Sequence, residues 1–421
     1  MKKITFAFLG MGNRGINYAS KSLRFPEEME VVAMADLRRD RLEAANKQFN
    51  LPQDRLFNSA EELLAQPKLA DILVVASQDQ QHRDHAIMAM EAGYDLLLEK
   101  PIAAKLEDLV EIAQTAKQLG RRVLVCHVLR YTVFYKEIRR LINEGYIGTV
   151  QSVEASENVG YYHYAHSYIR GNWHNTQASS PMILAKCSHD MDILQWITGK
   201  KCLKLNSFGS LSFFNEAHAP EGSAERCLDC KVENCPFNAP DYYIPRIGKS
   251  IHPRVLHPEP TPENITEALR TSDYGKCVFR MDNDVVDHQT VNMLMEDDVT
   301  ITFQMCGFTN LFTRGIRVMG SEGELWGNFK KRELYFQRWG EEEQKIDLEA
   351  LCEDFSGHGG GDAGMIHDVI RLYRGDDFDT SSITYLEDSV DSHYMAFAAE
   401  KSRLDGGHLV NMSDFVENLN A

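Results

Sequence analysis

Residues 4–15 read Ile4-Thr5-Phe6-Ala7-Phe8-Leu9-Gly10-Met11-Gly12-Asn13-Arg14-Gly15. Six residues suited to a buried strand run straight into three glycines spaced as GxGxxG. Alone, that spacing says little. Directly after a strand and at the start of a helix, it marks a dinucleotide-binding turn. Gly10 permits the tight turn, Gly12 lets the backbone approach a pyrophosphate, and Gly15 lets helix and strand pack closely. The helix that begins there offers unpaired N–H groups and a positive dipole to phosphates.

The same rhythm continues outward to residue 127. Further β-rich runs fall at 30–35, 72–77, 95–99 and 122–127, with helical patterns at 38–49, 81–92 and 106–119 between them. Gly93 and Gly120 suit helix C-caps. Ser59 with Glu62 forms a capping box before Leu63 and Leu64. Alternation of this kind predicts a doubly wound parallel sheet. After residue 128 the text changes. A helical stretch at 134–143 is followed by alternating segments at 149–157, 285–295, 299–305 and 314–319, with no crossover helices between them. That pattern predicts an open antiparallel sheet. The stretch from about 215 to 277 is rich in Pro, Cys, Asn and Tyr and reads as a long irregular insertion.

A chain of 421 residues exceeds one compact core, so two domains are expected. The predicted fold is α/β. Residues 1–127 form a Rossmann domain with a doubly wound parallel sheet. Residues 128–421 form an α+β substrate and oligomerisation domain with an open, mainly antiparallel sheet and the Cys-rich insertion. Hydrophobic content of 43% and charged content of 25% are those of a globular protein. The net charge of −17 argues against nucleic acid as a partner. The basic start and the apolar run at 4–9 are too short for a signal peptide, and no stretch is apolar enough for a membrane span. Nine scattered cysteines without a secretion signal predict reduced thiols in a cytoplasmic enzyme.

Asp36 ends the second strand about twenty residues beyond the glycine turn, where a carboxylate accepts hydrogen bonds from ribose hydroxyls and favours NAD over NADP. Arg38 and Arg39 stand close by and keep a 2′-phosphate open as the alternative. Asn13, Arg14, Ser77, His82, Glu99 and Lys100 complete the expected cofactor set. Glu99-Lys100-Pro101 ends a strand, and ligands of such sheets bind beyond the strands' carboxyl ends. A lysine there can stabilise a developing alkoxide. Cys227-x2-Cys230-x4-Cys235 lies in the insertion. Together with Cys277, or alternatively His218, it predicts a structural zinc site; an iron–sulfur cluster fits the spacing less well.

These residues together resemble the glucose–fructose oxidoreductase/inositol dehydrogenase (Gfo/Idh/MocA) family. The likeness is strongest in GMGNRG, HAIMAMEAGYDLLLEKPIA, the Lys-Glu-Ile-Arg helix before GYIGTV, and SHDMDILQW. The resemblance implies an active-site lysine at Lys100 and a His-x-x-Asp motif at His189 and Asp192, with the histidine taking the hydroxyl proton. It also places His127, Arg130 and Tyr131 after the fifth strand. His166, Arg170, Asn172, Trp173 and His288 are further candidates to line a sugar site. Many relatives have an acid where Ala185 stands here, and Lys186 follows it. Lys186 is therefore a candidate second proton-transfer group, weighed against a solvated lysine. The segment His358-Gly-Gly-Gly-Asp362 reads as a structural or substrate-edge turn. The expected activity is hydride transfer between a nicotinamide cofactor and a hydroxyl of a sugar, glycoside, sugar acid or inositol, in a homodimer or homotetramer. Two alternatives stand beside it: an NAD-retaining glycosidase working by oxidation, elimination and re-reduction, and a non-catalytic NAD-binding regulator.

Overall fold

The structure is a computed structural model and describes residues 2–419. Six strands form the first sheet: β1 (Ile4–Leu9), β2 (Met29–Ala35), β3 (Leu56–Phe57), β4 (Ile72–Val75), β5 (Asp95–Leu98) and β6 (Val123–Val125). All pairings are parallel, and the spatial order is β3-β2-β1-β4-β5-β6. Successive side chains of a strand point to opposite faces, and here both faces are covered. Phe6, Phe8, Ile72, Val74 and Leu97 enter one core. Ala7, Leu9, Leu73, Val75, Leu96 and Leu98 enter the other. This is why the strands read as continuous apolar runs rather than as alternating ones.

The chain's later part returns to this sheet. The helix Gly361–Arg374 contributes Met365, Ile366, Val369 and Ile370 to the first core. The helix Leu386–Leu404 contributes Leu386 to the second, with Val390, Tyr394 and Phe397 packed against it.

The second sheet has nine strands: β7 (Val150–Asn158), β8 (Cys202–Ser210), β9 (His288–Met295), β10 (Thr300–Cys306), β11 (Thr313–Gly320), β12 (Gly323–Asn328), β13 (Glu333–Arg338), β14 (Gln344–Lys345) and β15 (Val410–Asn411). Their order is β14-β13-β12-β11-β7-β10-β9-β8-β15. Only β7 and β10 pair in parallel; the remaining pairs are antiparallel. Burial alternates cleanly along β10, where Ile301, Phe303 and Met305 point inward. One face packs on the helices Val133–Asn143 and Ser188–Thr198, and the other is open.

The insertion is more ordered than its composition predicts. Thr261 caps the helix Pro262–Thr271 by accepting from the Asn264 N–H, with proline at the first helical position. Shorter helices at Ala239–Tyr243 and His252–Leu256 precede it. Ala239, Tyr243, Ile265 and Leu269 form a small separate core. Backbone bonds from Cys227 N to Gly275 O (2.9 Å) and from Cys277 N to Glu225 O (2.9 Å) close the insertion at its neck.

Candidate active site

The glycine turn opens onto a cleft of about 780 Å³ lined by Gly10, Gly12, Asp36, Arg38, Arg41, Ser77 and His85, among others. Each glycine has its own reason to be there. Gly10 sits at φ +92°, and a Cβ on it would stand 2.5 Å from the Ala76 carbonyl oxygen. A Cβ on Gly15 would stand 1.9 Å from the Gly10 oxygen. A Cβ on Gly12 would meet nothing nearer than Arg41 at 3.8 Å, so its space faces the cleft. Asp36 accepts from Met11 N (2.7 Å) and Arg38 N (2.8 Å), which fixes its carboxylate at the rim. The Arg38 guanidinium turns away to Asp40 (2.6 Å), and that of Arg39 to Glu43 and Gln53. A dinucleotide fits this cradle: open space over Gly12, a fixed carboxylate, Arg38 and Arg39 paired with acids, and the Arg41 guanidinium lining the cleft. Arg41 and His85, which line the cleft, carry no motif that marks them in the sequence.

Three of the expected cofactor residues lie beneath the cleft rather than on it. His82 is buried with its ring nitrogens on Pro101 O (2.7 Å) and Ser77 O (3.2 Å). Glu99 accepts from Arg14 Nε (2.7 Å), Tyr18 OH (2.7 Å) and Lys100 N (2.8 Å). Burial pushes the Glu99 carboxyl up, but Arg14 and Lys100 outweigh it and hold it below its usual range. Arg14 is in turn held by Asp362 (2.8 Å).

At the carboxyl end of β5 the Lys100 ammonium donates to Ala185 O (2.7 Å). That bond joins the parallel sheet to the segment carrying Lys186 and His189, so the three sequence candidates do converge. Burial lowers the pKa of Lys100, against Glu99 and Asp79, and of Lys186, against Glu157. Burial also holds His189 well below the usual histidine range, with Lys100, His127 and Arg314 adding to the effect. Its ring is neutral at pH 7, and its Nδ1 has no hydrogen-bond partner.

Lys186 is not a solvated lysine. It lies over the Phe312 ring at 4.2 Å, with Nζ 3.6 Å from Glu157. Glu157 meets Arg314 Nη2 at 2.5 Å, and Arg314 donates to Asp190 at 2.8 and 3.2 Å. Glu157 is fully buried; burial raises its pKa, against Arg314 and Lys186. The cross-strand register of β7 and β11 sets Glu157 opposite Arg314. Asp190 lies within the Lys186-Cys187-Ser188-His189-Asp190 motif without a role read for it, and none of Glu157, Arg314 and Phe312 is marked by a sequence motif. The available signal is register, which one sequence does not reveal.

Several expected substrate contacts are spent elsewhere. Arg130 and Asp192 form a buried bidentate pair (2.8 and 2.5 Å) with no charge left over for a ligand. His127 is fully buried 3.9 Å from that pair's Asp192, with both ring nitrogens unpartnered and its ring centroid 5.6 Å from that of His189. Arg170 anchors the insertion through Lys276 O, Phe237 O and Cys227 Sγ. His166 bonds the Tyr243 hydroxyl (2.7 Å) and stacks on His252, beneath the insertion. Trp173 donates to Asp79 (3.2 Å), and Asn172 to Gln78 (3.2 Å). His288 bonds Asp287 (2.7 Å) at the start of β9.

The expected zinc site needs correction. Cys227, Cys230, Cys235 and Cys277 do line one cavity of about 350 Å³. Yet among the described residues no group of three or more His, Cys, Asp or Glu is placed to hold a metal ion. The Arg170 guanidinium donates to Cys227 (3.3 Å), and burial raises the pKa of the Cys235 and Cys277 thiols, which favours their protonated forms. His218, the alternate ligand, bonds Asn215 instead. This arrangement does not support a structural zinc.

Residues 4–127 match the family described as "Oxidoreductase family, NAD-binding Rossmann fold", and residues 135–230 match the "GFO/IDH/MocA C-terminal domain". The putative oxidoreductase YteT of Bacillus subtilis is 22% identical over 396 residues, covering 88% of each chain. The glycosyl hydrolase family 109 protein 2 of Phocaeicola vulgatus is 26% identical over 160 residues, 36% of this chain and 38% of that one. The solved structure of the WlbA dehydrogenase from Bordetella pertussis in complex with NADH and UDP-GlcNAcA superposes with a TM-score of 0.68 at 16% identity, covering 97% of this chain and 99% of that one.

Proposed function

The chain belongs to the Gfo/Idh/MocA family of NAD-binding oxidoreductases, and from that premise we propose that it oxidises a ring hydroxyl of a sugar, glycoside, sugar acid or inositol. The observation that carries the reading is the Lys100–Ala185 bond. It brings a cation from the end of β5 to the helix start bearing His189, at the edge of the sheet where the glycine turn opens. Gly12 and Asp36 would hold the dinucleotide, with Arg41, Ser77 and His85 around it, and NAD would supply the hydride acceptor. Asp36 favours NAD over NADP, because its fixed carboxylate repels a 2′-phosphate and Arg38 and Arg39 are paired with acids.

The protein's own part is orientation and proton transfer. His189, neutral at pH 7, accepts the hydroxyl proton. Lys100, once released from Ala185 O, donates to the substrate oxygen and stabilises the negative charge that develops there. Lys186, held by Glu157 and Phe312, presents a second ammonium to the same space. The likeness to a glycosyl hydrolase family 109 protein keeps a second reading in view: the same oxidation followed by aglycone elimination, with Lys186 moving the second proton.

We further propose a homodimer or homotetramer built on the open face of the nine-stranded sheet, where Leu203 and Phe208 of β8 are exposed. No helix of the described residues is long and apolar enough to cross a membrane, and a cytoplasmic location is part of this proposal. The test is a panel of sugars, inositols and aryl glycosides incubated with NAD and with NADP, reading nicotinamide absorbance and aglycone release together. NADH accumulation supports the oxidation. Aglycone release without net NADH supports the second reading. A panel producing neither signal sinks both.

A further inference from the structure

The His358-Gly-Gly-Gly-Asp362 turn takes no part in binding the dinucleotide or in the proton transfer to His189. Its backbone is exceptional: Gly357, His358, Gly359 and Gly360 lie at φ +49°, +46°, +64° and +91° in succession. Three of the four are glycines, for which this region is open. The fourth is a histidine, whose Cβ is crowded there. Strained backbone of this kind concentrates at functional sites, where the placement of the side chain is what the strain maintains.

The side chain points into the site. The His358 ring centroid is 6.1 Å from that of His189. His358 keeps 34% of its side chain exposed, whereas His189 is 5% exposed. His358 Nδ1 is 3.1 Å from Asp362 Oδ1. Burial pushes the Asp362 carboxyl up, but Arg14 and His358 outweigh it and hold it far below its usual range. Its oxygens therefore only accept, and Nδ1 carries the hydrogen. Arg14 Nη1, 3.3 Å from the same nitrogen, then meets it as a neighbouring charge rather than as a donor. Burial, opposed by Asp362 and reinforced by Arg14 and Arg314, lowers the pKa of His358 and leaves the ring neutral. In that tautomer Nε2 has a free lone pair.

The charged and titratable groups acting on His189 are Lys100, His127, Arg314 and His358, and the rings of His127 and His358 are its neighbours at 5.6 and 6.1 Å between centroids. Lys100 and Arg314 are cations, and His127 is fully buried. Of these four groups, only His358 combines a free lone pair with an opening to solvent.

We propose that His358 is the proton exit of the active site, acting through His189. The substrate O–H bond breaks and an N–H bond forms on His189. That proton then crosses the gap, directly or through one water, to Nε2 of His358. The imidazolium so formed is held by Asp362 until it releases the proton to bulk water, and both rings return to neutral. The proposal rests on the reading of His189 as the base.

The test uses His358→Gly, which removes the ring and suits a positive φ, together with His358→Asn. Turnover is measured in dilute and concentrated buffer, and with and without added imidazole, using myo-inositol, D-glucose and an aryl glucoside as hydroxyl probes. NADH affinity and Tm are measured alongside. His358→Gly should keep Tm at or above the wild-type value and leave NADH affinity unchanged. Turnover in dilute buffer should fall at least about tenfold, less than the roughly 10²–10⁴-fold contributed by the group that takes the proton first, and added imidazole should restore it. Wild-type turnover in dilute buffer overturns the proposal. A loss that imidazole does not restore also overturns it and assigns the ring to shape alone. A wild-type enzyme that turns over no probe overturns the oxidation reading itself, and the relay with it, before any variant is compared.

Discussion

Removing one cation from the buried set of Lys186, Glu157, Arg314 and Asp190 bears most directly on the electrostatics of this site. Arg314 is 4% exposed and faces two carboxylates, Glu157 Oε2 at 2.5 Å and Asp190 Oδ1 at 2.8 Å. Arg314→Met keeps much of the side-chain volume and deletes the charge. At an effective dielectric near 20, each ion pair with charge centres about 4 Å apart is worth roughly 4 kcal/mol. Part of that is returned because the guanidinium no longer has to be desolvated. Deleting one partner of a buried pair typically costs about 3–5 kcal/mol net. For a chain of 421 residues that loss lowers Tm by roughly 3–6 °C.

The pH dependence carries the sign. Burial already raises the pKa of Glu157 in the folded protein, against Arg314 and Lys186. A raised folded-state pKa means the folded form binds a proton more tightly than the unfolded one, so this group's contribution is lost as pH rises. Without Arg314 that pKa rises further. The variant's deficit should therefore be largest near pH 7 and shrink toward pH 5. The assay is urea denaturation of both proteins at the two pH values. A deficit below about 1 kcal/mol, or one that widens on acidification, refutes the reasoning.

Three further outcomes are expected. Asp36→Ala should raise the ratio of NADP to NAD affinity, measured by fluorescence titration; an unchanged ratio would mean that Asp36 is engaged only with Met11 N and Arg38 N. Lys100→Ala and His189→Ala should each cut turnover by about 10²–10⁴-fold with NAD affinity nearly intact, and wild-type turnover in either would remove that residue from the chemistry. Lys186→Ala separates its two roles. A raised KM with steady kcat assigns it to substrate binding, and surviving oxidation with lost aglycone release assigns it to elimination.

The parts of the fold that local pattern encodes were legible in the sequence. The run from Ile4 to Gly15 carries strand, turn and helix within twelve residues, and all three form as read. The later β–α repeats follow the same local rule. Lys100 and His189 were legible because each sits in a short motif at an element's end, and the sheet brings those ends together. What stayed hidden depends on long-range pairing. Arg130 and Asp192 read as ligand contacts because the family resemblance puts Asp192 in the His-x-x-Asp motif and Arg130 in the segment after the fifth strand. Only the packing of the 128–131 turn against the helix Ser188–Thr198 shows that they neutralise each other. The four cysteines read as a metal site from spacing, but the Arg170 guanidinium that reaches among them arrives from another part of the chain.

Long-range pairing also decides what surrounds residue 185. An acid at 185 would place a carboxylate side chain near Lys100. Here Ala185 has none, and Lys100 is bonded instead by the Ala185 backbone carbonyl. The carboxylate near this site comes instead from Glu157 on β7, and the residue facing it at 3.6 Å is Lys186, directly after Ala185. Glu157 in turn requires Arg314, since one ammonium at 3.6 Å does not balance a fully buried carboxylate that also lies near Asp190. Ala185, Lys186, Glu157, Arg314 and Asp190 therefore form one linked set. Restoring an acid at 185 alone would add a third buried carboxylate to two that already share Arg314 and Lys186. It should weaken the protein.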